Sequence, residues 1–250
     1  MIYEENMRNI ANDDLFGKKK YRIGNVVVRI PTLAMICGSD SEEESRENKF
    51  WQEAGLFLRT PTDMISELDS LGLDFELISD YTLFMMMFII LKSSGYKNCM
   101  LFDNFDLFEL EEKDNCLVDK AGNIVINEDN YTEISDLICR IVGHKKTEKI
   151  KFGNSFAKRM KIQLDYEHKE RERKKNNKAS SVLGSMKLRV VCSGKTPYSF
   201  ESINNVTIYE LLWTIKQIDK EKSVDELKQT ALVGNDLTKI ASDKLSPYAL

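Results

Sequence analysis

A reversal of charge in the middle of the chain constrains its fold more than any other feature. Residues 145–178 hold thirteen Lys/Arg against five acids, a net of +8, in a protein whose total is −4. Everything outside those residues therefore sums to −12. A polar, basic stretch with helix-forming composition separates two acidic regions that carry hydrophobic patterning. Such a segment reads as a solvated connector or a docking surface, because unpaired cations are costly to bury. The division it implies is an α+β domain over residues 20–145, a basic helical connector over 146–178 and a helical C-terminal region over 179–250.

At 250 residues the chain is long enough to bury a substantial core. Only 12 Gly and 4 Pro are present, which favours helices over a many-turned β fold. The five cysteines (37, 99, 116, 139, 192) are scattered, odd in number and form no CxxC pair, and only His144 and His168 join them. That spacing supplies no zinc ligand set and fits a reduced intracellular protein. The first residues, MIYEENMRNIANDD, lack the basic-then-apolar order of a signal peptide. The longest apolar run, residues 83–91, is half of what a membrane span needs, so a soluble protein is expected.

Residues 1–24 read as polar and turn-rich. Residues 25–30 (NVVVRI), β-branched and stopped by Pro31, predict a short strand near a sheet edge, and residues 33–37 extend the apolar layer. Acids at 42–44 open a helix running to Leu58, with Phe50, Trp51, Leu56 and Phe57 on its buried face. Thr60, Pro61, Thr62 and Asp63 predict a helix start, with Thr60 as cap and Gly72 at the far end. Asp80 caps the next helix, whose centre, LFMMMFIIL, is apolar all round and predicts the central buried helix.

From residue 98 the period shifts toward 2. Strands are expected at 99–102, 107–111, 116–119 and 124–127, the last two joined by a turn at 120–123. Asp129 or Asn130 then caps a helix bearing Ile134, Leu137, Ile138, Ile141 and Val142, closed by Gly143.

A long helix follows from Ser155 to about Asn176. Phe156, Met160 and Leu164 recur every fourth residue and form its expected anchoring face, while pairs such as Asp165–Lys169, Glu167–Arg171 and Glu170–Lys174 stabilise the remainder. C-terminal to it, Ser180 opens a helix that ends near Gly194. Thr207 with Glu210 forms a capping box, and Ser223 with Glu226 repeats the device before a last helix ending at Gly234. The fold class is thus α+β: a small antiparallel sheet packed on helices, a long basic helix and an all-α C-terminal region.

No chemistry-bearing motif stands out. GxxxxGK and GxGxxG are both lacking, and Gly184-Ser185 follows no strand, so it is no nucleophile elbow. His144 sits beyond a helix C-cap and His168 on the charged helix. Cys37, Cys139 and Met85 to Met87 read as core. Asp103, Asp106, Asp114 and Asp119 read as strand ends and turns. No catalytic, cofactor-binding or metal-binding residue is assigned. The expected partner-binding residues are the cations of the long helix: Lys158, Arg159, Lys169, Arg171, Arg173, Lys174 and Lys175.

The order of these motifs resembles proteins encoded in the tail and baseplate region of phages and prophages of Gram-positive bacteria. The resemblance runs from the strand before Pro31, through Thr60 to Asp63, Leu73-Asp74-Phe75 and Tyr81 to Phe84, to the hairpin, the segment 136–142 and the Lys/Arg-rich helix. It ends with residues 180–183 and 206–211. The resemblance implies a non-enzymatic structural subunit or tail assembly chaperone, acting through contacts with other tail or baseplate proteins or with copies of itself. It places the protein in the host cytoplasm during assembly and, for a subunit, in the virion. The alternative is a nucleic-acid-binding accessory protein using the basic helix 155–178, although aromatic residues for base stacking are few there.

Overall fold

The computed structural model describes residues 15–37, 43–96, 99–175 and 181–232. Among them the fold is α+β, with eight helices around two small antiparallel sheets. Strands β1 (Lys20–Ile23) and β2 (Val26–Arg29) form a hairpin with Ile23 opposite Val26. Gly24 turns it at φ 55, a left-handed conformation that glycine adopts without strain. β1 is an addition to the sequence reading, whose signals were the Tyr21/Ile23 alternation and the Gly-Asn pair at the turn. Helix α1 (Leu33–Cys37) continues the apolar layer in helical form, burying Leu33, Ile36 and Cys37 in the same cluster as Val26, Val28 and Ile30. Helix α2 (Glu43–Leu58) buries Phe50, Ala54 and Phe57. Its expected acidic opening begins at Ser39, and residues 39–42 of it lie outside the described residues.

The predicted helix start at Thr60 is displaced. Asp63 accepts from both the Thr60 N–H and the Thr60 hydroxyl at 2.8 Å, closing a local turn, and α3 (Ile65–Ser70) begins after Met64 without a side-chain cap. Its C-terminus follows expectation: Gly72 takes φ 72, and the Leu73 N–H reaches the Leu68 carbonyl at 2.9 Å. In α4 (Asp80–Ser93) the cap is Ser79 rather than Asp80, since its hydroxyl accepts from the Thr82 N–H at 3.0 Å. α4 buries Tyr81, Leu83, Phe84, Met85 and Phe88, but Ile89 and Ile90 face solvent, so it is not enclosed all round.

Residues 99–102 form no regular strand. Phe102 makes one bridge to Val28, and a 3-10 turn occupies Leu107–Glu109. The second sheet is β3 (Glu111–Lys113), β4 (Cys116–Val118) and β5 (Ile124–Ile126), in sequence order, with Gly122 at φ 82 in the expected turn. Helix α5 (Glu128–Ile141) is capped by Asn127, not Asp129 or Asn130; Asn127 and Asn130 each accept the other's backbone N–H, at 3.0 and 2.9 Å.

After helix α6 (Ser155–Lys175) come α7 (Val182–Cys192), capped by Ser181, and α8 (Ile208–Leu232), opened by the Thr207/Glu210 box. α8 runs straight through the second expected box, where the Ser223 hydroxyl donates to the Asp219 carbonyl at 2.9 Å. With no Gly or Pro between 208 and 222 the helix is not interrupted, and a Ser inside it turns back on the preceding turn. Its expected end at Gly234 lies outside the described residues.

One buried cluster spans most of these elements. Phe57, Phe84, Phe102 and Tyr131 meet at its centre, with ring centroids 4.9 to 6.1 Å apart along Phe57's three contacts. Leu183, Val190, Ile208, Leu211 and Ile215 from the C-terminal helices belong to the same cluster as Ile30, Phe50 and Ile134. The core thus crosses the boundary expected at 146–178. A smaller cluster of Ile65, Leu68, Phe75 and Leu83 lies beside it, flanked by Phe152 and Ile162.

Candidate functional site

Helix α6 is where sequence and structure meet most informatively. The Asn154 side chain starts it by accepting the Ala157 N–H at 2.7 Å. No Gly or Pro interrupts residues 155–175, and the three expected pairs form at 2.7 Å (Asp165–Lys169), 3.3 Å (Glu167–Arg171) and 3.8 Å (Glu170–Lys174).

Its orientation reverses the expected one. Phe156, Met160 and Leu164 are 72%, 42% and 56% exposed, so the apolar stripe faces water. The face turned inward is polar. Lys158 reaches Asp74 at 2.6 Å and Glu76 at 2.8 Å, and Glu76 also accepts the Phe152 N–H at 3.2 Å. Lys169 reaches Glu67 at 2.5 Å, Asp165 at 2.7 Å and the Asp63 carbonyl at 2.9 Å. The Ser66 hydroxyl completes the seam, donating to Asp165 at 2.6 Å. Apolar support is limited to Ile162 and to Phe152, whose ring stands edge-on to Phe75 at 6.0 Å.

The seam is electrostatic in character. Hydrogen bonds from Lys158 hold Asp74 and Glu76 below the usual carboxylate range and raise Lys158 itself. Burial, the largest single influence, raises Glu67 and Asp165, but the Lys169 hydrogen bond, its charge and the Ser66 and backbone hydrogen bonds together outweigh it and both end lowered. Lowered carboxyls stabilise the docked helix above their unfolded pKa and lose that contribution as the solution becomes acidic. Lys169→Ala is therefore expected to speed amide exchange through residues 162–175 while leaving α4 protected, measured by hydrogen–deuterium exchange. Uniform exchange across both helices in the variant would place the anchor elsewhere.

Of the expected partner-binding cations, the structure commits Lys158 and Lys169 to this internal seam. Arg171 and Lys174 are exposed and paired one turn back, and Arg159 and Arg173 are exposed without an ion pair among the described residues. The Lys175 side chain lies outside the described residues. An open hollow on the flank of α6 is lined by Lys161, Leu164, Asp165, Glu167, His168 and Arg171.

Two buried acids on α2 escaped the sequence reading. Glu53, fully buried, accepts from Cys99 Sγ at 2.6 Å and from the N–H groups of Met100 and Leu101 at 2.7 and 3.0 Å. Burial raises its pKa, and burial also pushes the Cys99 thiol up, keeping it a donor. Glu47 accepts the Ser181 hydroxyl at 2.5 Å and the Leu183 N–H at 2.9 Å, at the N-terminus of α7. Both act as clamps. The signal for Glu53 was an acid lying among Phe50, Ala54, Leu56 and Phe57 on a helix, whereas Glu47, between Arg46 and Asn48, gave none.

Among the described residues no group of three or more His, Cys, Asp or Glu is placed to hold a metal ion, and none of the five cysteines is in a disulfide. No described helix is long and apolar enough to cross a membrane. The chain matches no family model, and no curated protein or solved structure is similar to it.

Proposed function

We propose that this protein is a non-enzymatic component of phage tail or baseplate assembly that captures a protein partner through the outer face of α6. The observation that carries this reading is the inverted seating of that helix: its cations and carboxylates face inward and its apolar stripe faces water. A stripe of exposed Phe, Met and Leu at one-turn spacing suits a helix-in-groove contact, in which apolar burial supplies affinity. Arg159, Arg171 and Lys174, around and beyond the stripe, steer an acidic partner and set its register. The tail and baseplate setting is supported by the order of motifs along residues 20–220. Other tail or baseplate proteins, or further copies of this chain, are the expected partners, met in the host cytoplasm during assembly.

A nucleic-acid role for the same helix fits less well. A duplex-binding helix presents unopposed cations, whereas Glu167, Glu170 and Glu172 alternate with Arg171, Arg173 and Lys174 along α6.

The test is co-purification of the tail and baseplate proteins encoded alongside this chain, with wild type and with Phe156→Ser/Met160→Ser/Leu164→Ser. Capture is expected to fall at least ~10-fold, the equivalent of about 1.4 kcal/mol, with the melting temperature unchanged because all three positions face water. Equal recovery by both forms removes α6 from the account.

A further inference from the structure

The basic segment has a counterpart of equal and opposite charge just before it. Residues 106–136 hold ten acids against Lys113 and Lys120, a net of −8, beside the net +8 of residues 145–178. The exposed members of this acidic block lie on β3, in the β3–β4 turn and on the first turns of α5. Glu111, Glu112 and Asp114 are exposed, as are Glu128, Asp129 and Glu133. None of these six forms an ion pair among the described residues.

The two blocks do not neutralise each other within one chain. They meet in one ion pair among the described residues, Lys146 with Asp136 at 3.7 Å. The inward cations of α6 are instead satisfied by Glu67, Asp74 and Glu76, which belong to neither block. The outward cations of α6 and the outward acids of the sheet are left facing water on different surfaces. The acidic face also carries an apolar contact point. Ile124 is 52% exposed on β5, in the register row that runs through Val118 to Glu111.

We infer that the occupant of the α6 outer face is a second copy of this chain: α6 of one copy lies on the acidic β3–β4–β5 face of the next. This rests on the reading of α6 as a docking helix and names its partner. Phe156, Met160 and Leu164 cover Ile124, while Arg171 and Lys174, on the same side of the helix as the stripe, meet Glu111 and Asp114. Donor and acceptor are different surfaces, so the contact is head-to-tail. It propagates into a ring or an open string and does not close as a two-fold dimer. β3 is short and charged on every residue, which guards its edge against strand pairing.

Sedimentation of the purified full-length chain tests this by charge exchange. Wild type is expected to form species larger than a dimer at low salt and to dissociate as salt rises from about 0.1 M to about 1 M, where the screening length shrinks from ~10 to ~3 Å. Arg171→Glu/Lys174→Glu and, separately, Glu111→Lys should each weaken association at least ~10-fold. An equimolar mixture of the two variants should associate again, because each then offers the other complementary faces. That recovery also shows that both variants are folded. A wild type that stays monomeric at low salt overturns the inference, as does a mixture that stays monomeric or a pair of variants that associate like wild type. Capture of tail proteins by a monomeric wild type leaves the docking helix standing and rejects only the second copy as its partner.

Discussion

Glu53→Ala is expected to lower the free energy of unfolding by about 3–5 kcal/mol and the melting temperature by ~10 °C. The change removes the one acceptor shared by Cys99, Met100 and Leu101. It leaves two backbone N–H groups without their acceptor, each a loss of about 1–3 kcal/mol, and opens a cavity beside α2. Glu53→Gln keeps the volume and one oxygen but turns an amide N–H₂ toward a donor, so a smaller deficit, about 1–2 kcal/mol, is expected. The pH dependence separates burial from simple loss of contact. Burial raises the Glu53 pKa, and a raised carboxyl gives most stability below its unfolded pKa and loses it as pH rises through the folded value. The deficit of the Gln variant, measured by urea unfolding, should therefore be larger at about pH 4 than at about pH 8. A deficit that grows toward alkaline pH would mean that the hydrogen bonds, and not burial, dominate at this site.

What the sequence disclosed was the chemistry that acts within a few residues. Gly72, Gly95, Gly143 and Gly194 all sit at positive φ just past helices, and the Thr207/Glu210 box closes as its spacing dictates. The second box, at Ser223, misled for a physical reason. A cap starts a helix only where the preceding chain has stopped being helical, and nothing between 208 and 222 stops it. The stripe Phe156–Met160–Leu164 misled differently. Spacing says that three residues share a face, but which face turns inward depends on what lies across from it. Here Glu67, Asp74 and Glu76 lie across from it, and they select the lysine face of α6.

The same limit applies to the candidate site. The cations of α6 were legible as a patch, yet their division into an inner pair and an outer set was not. Lys158 and Lys169 are eleven residues apart, three turns of helix, and so present one face to α3 and its following loop. Arg159 and Arg173 fall elsewhere on the wheel. Only the partner element, 82 to 102 residues upstream in sequence, distinguishes a cation that holds the fold from one that is available to another molecule.

Phe57→Ala is expected to be as damaging as loss of Glu53, at about 3–5 kcal/mol. Phe57 is fully buried and touches the rings of Phe84, Phe102 and Tyr131, so truncation opens a void where three elements meet α2. Phe156→Ala, at an exposed site, should stay within about 0.5 kcal/mol of wild type. The two tryptophans make the Phe57 result informative about the whole chain. Trp51 stands on α2 with its ring 5.0 Å from Phe50, and Trp213 stands on α8 with its ring 5.0 Å from Phe16. Single-tryptophan proteins, Trp51→Phe and Trp213→Phe, report separately on the two sides of the basic helix. Because Leu183, Ile208 and Leu211 share one buried cluster with Phe57, both probes should follow one transition, and Phe57→Ala should shift both by the same amount. A Trp213 signal that holds its midpoint while Trp51 moves would show that α7 and α8 fold apart from the rest, and the shared cluster would then contribute little to cooperativity.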